Sequence, residues 1–254
     1  MSKNRPLEGK TALVTGGSAN LGAVTAETLA RRGVQVAINH LPQEAAPEEL
    51  LAMLRTHGKA AHAIAGDLSR PGEPTRVAQE AIEQLGGRVD ILVNNAGPFS
   101  MTPFAEMPED EWDLILNVNL KAAYLTAQAL APGMREAGWG RIINMSAGSA
   151  YIRNHTIYGL AKSAVIHLTE ALALELGPEI TVNAIAPGQI AESAEDIAEF
   201  DPTFVERAIE HTPAGRLVTR QEVADVIVWL CEPAAEMVTG HTIPLGGGWR
   251  FNRF

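Results

Sequence analysis

Thr11-Ala12-Leu13-Val14-Thr15-Gly16-Gly17-Ser18-Ala19-Asn20-Leu21-Gly22 is the stretch that decides the fold. Its first five residues are apolar and β-rich, which predicts a short buried strand. Residues 23–32 follow with helical spacing and end at Gly33. A strand, a glycine turn and a helix in that order form a site for a dinucleotide pyrophosphate. Gly16 permits the tight turn, and Gly22 lets helix and strand approach closely. The helix N-terminus offers unpaired N–H groups and a positive dipole end. Asn20 stands where a further glycine is expected. Asn tolerates positive φ better than other non-glycine residues and caps helices well. Ser18 and Leu21 complete this candidate cradle.

The same alternation continues along the chain. Strands are expected over residues 34–39, 60–65, 89–93, 141–145, 180–185 and, as a seventh, 242–245. Helices are expected over 47–57 (stopping at Gly58), 73–85, 110–137 and 155–176, the third bent near Pro132-Gly133. Strands separated by helices wind into βαβ units. The expected fold is therefore α/β, a doubly wound, Rossmann-like parallel sheet of about seven strands with helices on both faces. No linker or repeat divides residues 1–254, so one domain is expected. Residues 191–213 are polar and acidic and follow the carboxyl end of a strand. They read as a substrate lid or as a plain surface insertion.

Composition narrows the function. The 254 residues are 46% hydrophobic, enough for a large core. A net charge of -10 argues against nucleic acid as a partner. The one cysteine, Cys231, forms no intrachain disulfide and reads as a buried thiol. The polar first ten residues carry no signal-peptide pattern, and no uninterrupted apolar run reaches the ~18 residues of a membrane span. A cytoplasmic protein with no metal and no membrane partner is the expectation.

The chemistry concentrates in Tyr158-Gly159-Leu160-Ala161-Lys162. Residues four apart share one helix face. A free tyrosine titrates near pKa ~10, and an adjacent ammonium favours its phenolate. Such a Tyr can exchange a proton with a substrate oxygen. Taken alone, the motif also fits an ordinary surface helix with a snorkelling Lys. At the end of the second strand stand Asn39-His40-Leu41. No carboxylate there would repel a 2′-phosphate, and Asn39 with a partly protonated His40 could hydrogen-bond one, so NADP(H) is favoured over NAD(H).

Together these features resemble the short-chain dehydrogenase/reductase family over nearly the whole chain. The matching residues are Thr15-Gly16 with Gly22, Asp67, Asn94-Asn95-Ala96-Gly97, Asn119 in Asn117-Val118-Asn119-Leu120, and Tyr158 with Lys162. Val182 to Gly188, Gly215-Arg216-Leu217, Glu222-Val223-Ala224, Thr239-Gly240 and Gly246 to Trp249 extend the likeness. The resemblance implies that Tyr158 is the acid/base. It implies that Lys162 lowers the tyrosine pKa and holds the nicotinamide ribose, and that Asn119 supports a proton-relaying water. Asp67 and Leu68 would flank adenine. Asn95, Ala96 and Gly97 would line the cofactor, and Pro187, Gly188 and Ile190 would border the nicotinamide. Plainer readings stand beside these. Asp67 also fits a helix N-cap, Asn94–Gly97 a strand-end turn and Asn119 a buried polar helix residue.

One departure matters. The family usually has a Ser after the fifth strand that orients the substrate carbonyl. Counting from the strand lands on Ala147, and counting back from Tyr158 lands on Met145, so the segment between is shortened. Ser146 is the better candidate and Ser149 the alternative, unless Tyr158 acts without a serine.

The resemblance thus implies an NAD(P)(H)-dependent oxidoreductase that reversibly transfers hydride between nicotinamide and a carbonyl or secondary alcohol. The alternative is a nicotinamide-binding sensor or scaffold that has lost catalysis. A ketoreductase, a sugar, polyol or steroid-type dehydrogenase and a pteridine reductase all remain open within the enzyme reading. Pro98-Phe99, Pro103-Phe104 and Tyr151 would form an aromatic wall or pack as ordinary core. Small residues (Ala122, Ala123, Ala127 and Ala129; Ala161, Ala164, Ala171 and Ala173) would let two long helices pair with a twofold mate. The tail, with Trp249, Phe251 and Phe254, offers a second apolar surface, so a homotetramer or homodimer is expected.

Overall fold

The computed structural model describes residues 6–57, 60–151, 156–198 and 201–249. Seven strands form a single sheet, in which every pairing is parallel. They are β1 (Thr11–Val14), β2 (Gln35–His40), β3 (Ala61–Ala65), β4 (Ile91–Asn94), β5 (Gly140–Met145), β6 (Ile180–Pro187) and β7 (Thr242–Leu245). Their spatial order is β3-β2-β1-β4-β5-β6-β7. The order reverses between β1 and β4, and the crevice at their carboxyl ends is where such sheets bind ligands.

Nine α-helices are described: α1 (Asn20–Arg31), α2 (Glu48–His57), α3 (Glu73–Gln84), α4 (Glu109–Leu116), α5 (Ala122–Glu136), α6 (Ile157–Leu176), α7 (Ala191–Ala198), α8 (Phe204–Glu210) and α9 (Arg220–Cys231). Successive strand residues serve opposite faces. Ala12 and Val14 of β1 pack in one core with Leu29 of α1, Leu54 of α2 and Ile227 of α9. Leu13 packs in the other with Val77 of α3, Leu130 of α5 and Leu172 of α6.

One expectation needs correction, and two helical segments were not foreseen. The helical region after residue 109 is broken by a π-helical turn at Asn117–Lys121, whereas Pro132 sits inside α5. The wider turn carries Asn119 into the interior. Residues 191–213 are built largely of α7 and α8. The helix α9 was not foreseen, although Thr219 and Glu222 spell its capping box. By length and composition α6 would reach across a bilayer, but its buried stripe, including Val165, Thr169 and Leu172, lies in the core.

The alanines divide. Ala122, Ala123, Ala127 and Ala161 are buried within the chain itself, and the exposed residues of these helices include Tyr124, Leu160 and Leu174. Trp249 lies against glycines and is half-exposed. Residues 58, 155, 251 and 254, named above at a helix stop, a helix start and the tail, lie outside the described residues.

A run of buried polar side chains crosses the second core. Thr126 donates to Asn94 Oδ1 (2.8 Å), Asn94 Nδ2 to Asn144 Oδ1 (2.9 Å) and Asn144 Nδ2 to Thr169 Oγ1 (3.0 Å). Each group finds a partner where water cannot reach. Asn94 is thereby a structural brace between β4, β5, α5 and α6.

Candidate active site

The glycine turn lies at the carboxyl end of β1. Gly16 has φ +58°, and Asn20 has φ +50°, the one positive value among described non-glycine residues. A Cβ on Gly22 would collide with the Gly16 carbonyl oxygen and lie 2.7 Å from Asn95 Nδ2. Thr15 fastens this turn to the next. Its Oγ1 accepts the N–H groups of Asn95 and Ala96, both at 3.0 Å, and Asn95 Nδ2 donates to the Thr15 and Gly16 carbonyls. The backbone cradle for a pyrophosphate is thus held by the side chains of Thr15 and Asn95, the residues that follow β1 and β4.

The end of β2 departs from expectation. Asn39 is buried, and Nδ2 donates to the Gly66 carbonyl (2.9 Å) while Oδ1 accepts from Gly16 N–H (3.4 Å). It ties three loops together and is not turned out toward a phosphate. His40 is also buried, with Nδ1 3.0 Å from the Leu41 carbonyl. Sequence reasoning missed Glu44, just past these residues, which accepts a hydrogen bond from Ser18 Oγ (3.4 Å) at the lip of the glycine turn. At the end of β3, Asp67 accepts from Ser69 N–H and Oγ and from Arg70 Nε. The Ser69 bonds outweigh a small burial cost and hold its carboxyl below the usual range. Leu68 is buried beside it.

Thr156 caps α6 by accepting Gly159 N–H, and the first two turns then present Tyr158 and Lys162. Tyr158 is half-buried, with the Phe99 ring edge-on at 4.9 Å between centroids. Lys162 is only 4% exposed, and its Nζ donates to the Met145 carbonyl at 2.7 Å. Asn119 Nδ2 donates to the carbonyls of Ile115 (3.0 Å) and Pro98 (3.1 Å), while Oδ1 is buried and makes no hydrogen bond among the described residues. Gly97 lies between them: a Cβ there would collide with Asn119 Oδ1 and come within 3.2 Å of Lys162 Nζ. The structure therefore brings Tyr158, Lys162, Asn119 and Gly97 together.

The electrostatics reverse one expectation. Burial pushes the Tyr158 phenol up to about 12 and pulls the Lys162 ammonium down to about 7. Desolvation disfavours the charged form of both groups. The Lys162 ammonium lies 5.5 Å from the Tyr158 ring centre, and no lowering of the phenol results.

The serines also separate. Ser146 is buried and donates its hydroxyl to the Lys162 main-chain carbonyl (2.8 Å). That bond counts against Ser146 as the serine that orients a carbonyl. Ser149, in the 3₁₀ turn Gly148–Ala150, has a buried hydroxyl with no partner among the described residues. At the end of β6, Gly188 N–H donates to the Leu245 carbonyl (2.9 Å), and Ile190 bridges to Val218. Trp249, which the reading of the site passed over, lies against Gly148 and Gly188. No cluster of metal-binding side chains occurs among the described residues.

Comparison with known proteins agrees with this geometry. A family model described as enoyl-(acyl carrier protein) reductase matches residues 16–250. The chain is 34% identical to 7alpha-hydroxysteroid dehydrogenase of Escherichia coli, over 97% of this chain and 96% of that protein. It is 33% identical to a tropinone reductase homolog of Arabidopsis thaliana, over 99% of this chain and 96% of that one. The solved NADP complex of Pseudomonas aeruginosa RhlG superposes with a TM-score of 0.87 at 32% identity, covering 99% of this chain and 100% of that one.

Proposed function

The chain belongs to the short-chain dehydrogenase/reductase family, and on that premise we propose that it is a nicotinamide-dependent carbonyl reductase acting on an uncharged ketone. The observation that carries the reading is the convergence of Tyr158, Lys162 and the unpartnered Asn119 carbonyl beside Gly97, where no side chain intrudes. The cofactor fits this chain: the glycine cradle would take its pyrophosphate, and Asn95, Ala96, Gly97 and Lys162 would line its nicotinamide end. When bound, it supplies the hydride.

The remaining work belongs to the protein. Tyr158 holds a proton on Oη, and a phenol raised to about 12 stays protonated at neutral pH, ready to be given to a developing alkoxide. Lys162 changes charge near neutrality and sits where it can pass a proton toward Asn119 Oδ1 through water. The free Ser149 hydroxyl supports Ser149 as the donor to the substrate carbonyl. A sensor that had lost catalysis would have no use for an orphaned buried carbonyl beside a buried lysine.

We assign NADP(H) as the preferred cofactor, because no carboxylate ends β2 and because a similar protein was solved with NADP. A second reading, NAD(H), is favoured by Glu44, whose carboxylate reaches Ser18 at the glycine turn and would repel a 2′-phosphate. Steady-state oxidation of NADPH and NADH over a panel of ketones tests both. Turnover with a several-fold lower KM for NADPH is the expected result, and Glu44→Ala should widen that gap. A preference for NADH that Glu44→Ala relaxes would establish the second reading. Dinucleotide binding with no turnover on any carbonyl would reject the enzyme.

A further inference from the structure

Trp249 occupies a slot made from three glycines. A Cβ on Gly148, after β5, would collide with the indole at Cζ2, and one on Gly246, after β7, would collide at Cδ1. A Cβ on Gly188, after β6, would lie 2.6 Å from Nε1. Three loops at the carboxyl edge of the sheet therefore lack side chains where this indole lies. Gly148 belongs to the turn joining β5 to the helix of Tyr158, two residues from Ser146 and next to the unpartnered Ser149. Beside the indole remains a cavity of about 90 Å³ walled by Tyr151, Ala186, Pro244 and Trp249 between glycines, with no charged residue in its lining.

We propose that Trp249 is a specificity-determining residue, whose indole restricts the substrate side of the cleft to one compact, uncharged apolar ring or alkyl group of a ketone. The proposal rests on the carbonyl-reductase reading. Size supports it: at about 90 Å³ the cavity is smaller than the ~150 Å³ apolar cavity that admits benzene, so it takes one small group and excludes a fused pair of rings. Polarity supports it as well. A carboxylate or phosphate placed here would lose water and gain no counter-ion. The indole also lies against the backbone of the loops after β5 and β6 as well as its own, which holds it at the mouth of this cavity. Apolar pockets discriminate by missing or surplus volume, and one surplus group is worth roughly 10- to 200-fold in kcat/KM.

The test uses acetophenone and acetonaphthone, one ring against two, with wild type, Trp249→Ala and Trp249→Phe. Wild type should favour acetophenone in kcat/KM. Trp249→Ala should raise the acetonaphthone-to-acetophenone ratio at least ~tenfold, Trp249→Phe should fall between, and NADPH affinity should not change. The dissociation constants of both ketones, taken by ligand-observed NMR, should shift in the same sense. If Trp249→Ala does not fold, the intermediate ratio of Trp249→Phe carries the test. If the ketones are reduced with one ratio in all folded variants, the inference fails and the reductase reading survives. If neither ketone is reduced but the ratio of affinities moves, the pocket stands and the reductase reading fails. Failure of wild type to bind either ketone overturns the inference.

Discussion

The Ser146 hydroxyl donates to the main-chain carbonyl of Lys162 at 2.8 Å, so the serine that ends β5 braces the helix that carries the reactive pair. Ser146→Ala should therefore lower stability by about 1 kcal/mol and leave most of the turnover. Ser149→Ala should lower kcat about 10²-fold, the usual cost of one donor to a developing oxyanion, with NADPH affinity unchanged. Melting temperature and kcat measured on both variants decide it. A Ser149→Ala enzyme as fast as wild type means that Tyr158 polarises the carbonyl alone.

Burial pulls Lys162 down to about 7, whereas a lysine in the unfolded chain titrates near ~10.4. Between those values the unfolded chain binds a proton that the native protein does not, so stability rises with pH across this window. Below it, the buried ammonium is a standing cost. Lys162→Met should melt higher than wild type at pH 6 to 7, and the gap should close toward pH ~10. Thermal melts of both proteins across that range test it, and an equal gap at every pH would reject the buried ammonium.

Tyr158 works with the opposite sign. Its phenol at about 12 keeps a proton that an unfolded tyrosine loses near ~10. Carbonyl reduction, which uses the phenol, should hold steady from neutral to alkaline pH. Alcohol oxidation, which uses the phenolate, should still be climbing at pH ~10. An oxidation rate already level by pH ~8 would show that the phenol titrates lower.

The polar run through the second core predicts a stability effect away from the site. Asn144→Leu would take one of the two acceptors of Asn94 Nδ2, leaving only the Ala123 carbonyl, and would remove the donor to Thr169. Unpaired buried groups cost about 1–3 kcal/mol each, so a clear fall in the urea midpoint is expected with the cofactor cradle intact. A midpoint within error of wild type would show that the network contributes nothing net.

Leu174 is 89% exposed on α6, about four turns along the same helix from exposed Leu160. An apolar stripe of this kind suits a second copy of the chain. Leu174→Glu should weaken assembly, read as a fall in mass by light scattering at micromolar concentration. A wild type with the mass of one subunit would reject the pairing.

The order of the strands, and of the helices as far as α6, was legible in the sequence because buried parallel strands and glycine stops leave local signals. The glycine turn, the positive φ of Asn20 and the Tyr158–Lys162 spacing are local in the same sense. What lay beyond the sequence depended on contacts between distant segments. The turn that buries Asn119 is π-helical, and nothing in Asn117–Lys121 marks it. Asn39 reads as a phosphate ligand until Gly66 and Gly16 are seen to take its polar atoms. Ser146 is the better candidate on paper, and only the packing of α6 on β5 gives its hydroxyl a partner and leaves that of Ser149 without. Glu44 and Trp249 stand beside recognised motifs, but only the folding of their loops brings one to Ser18 and the other to Gly148 and Gly188. The tyrosine and lysine values follow the same division: spacing put the two groups on one face, but their titration is governed by how deeply the whole fold buries them.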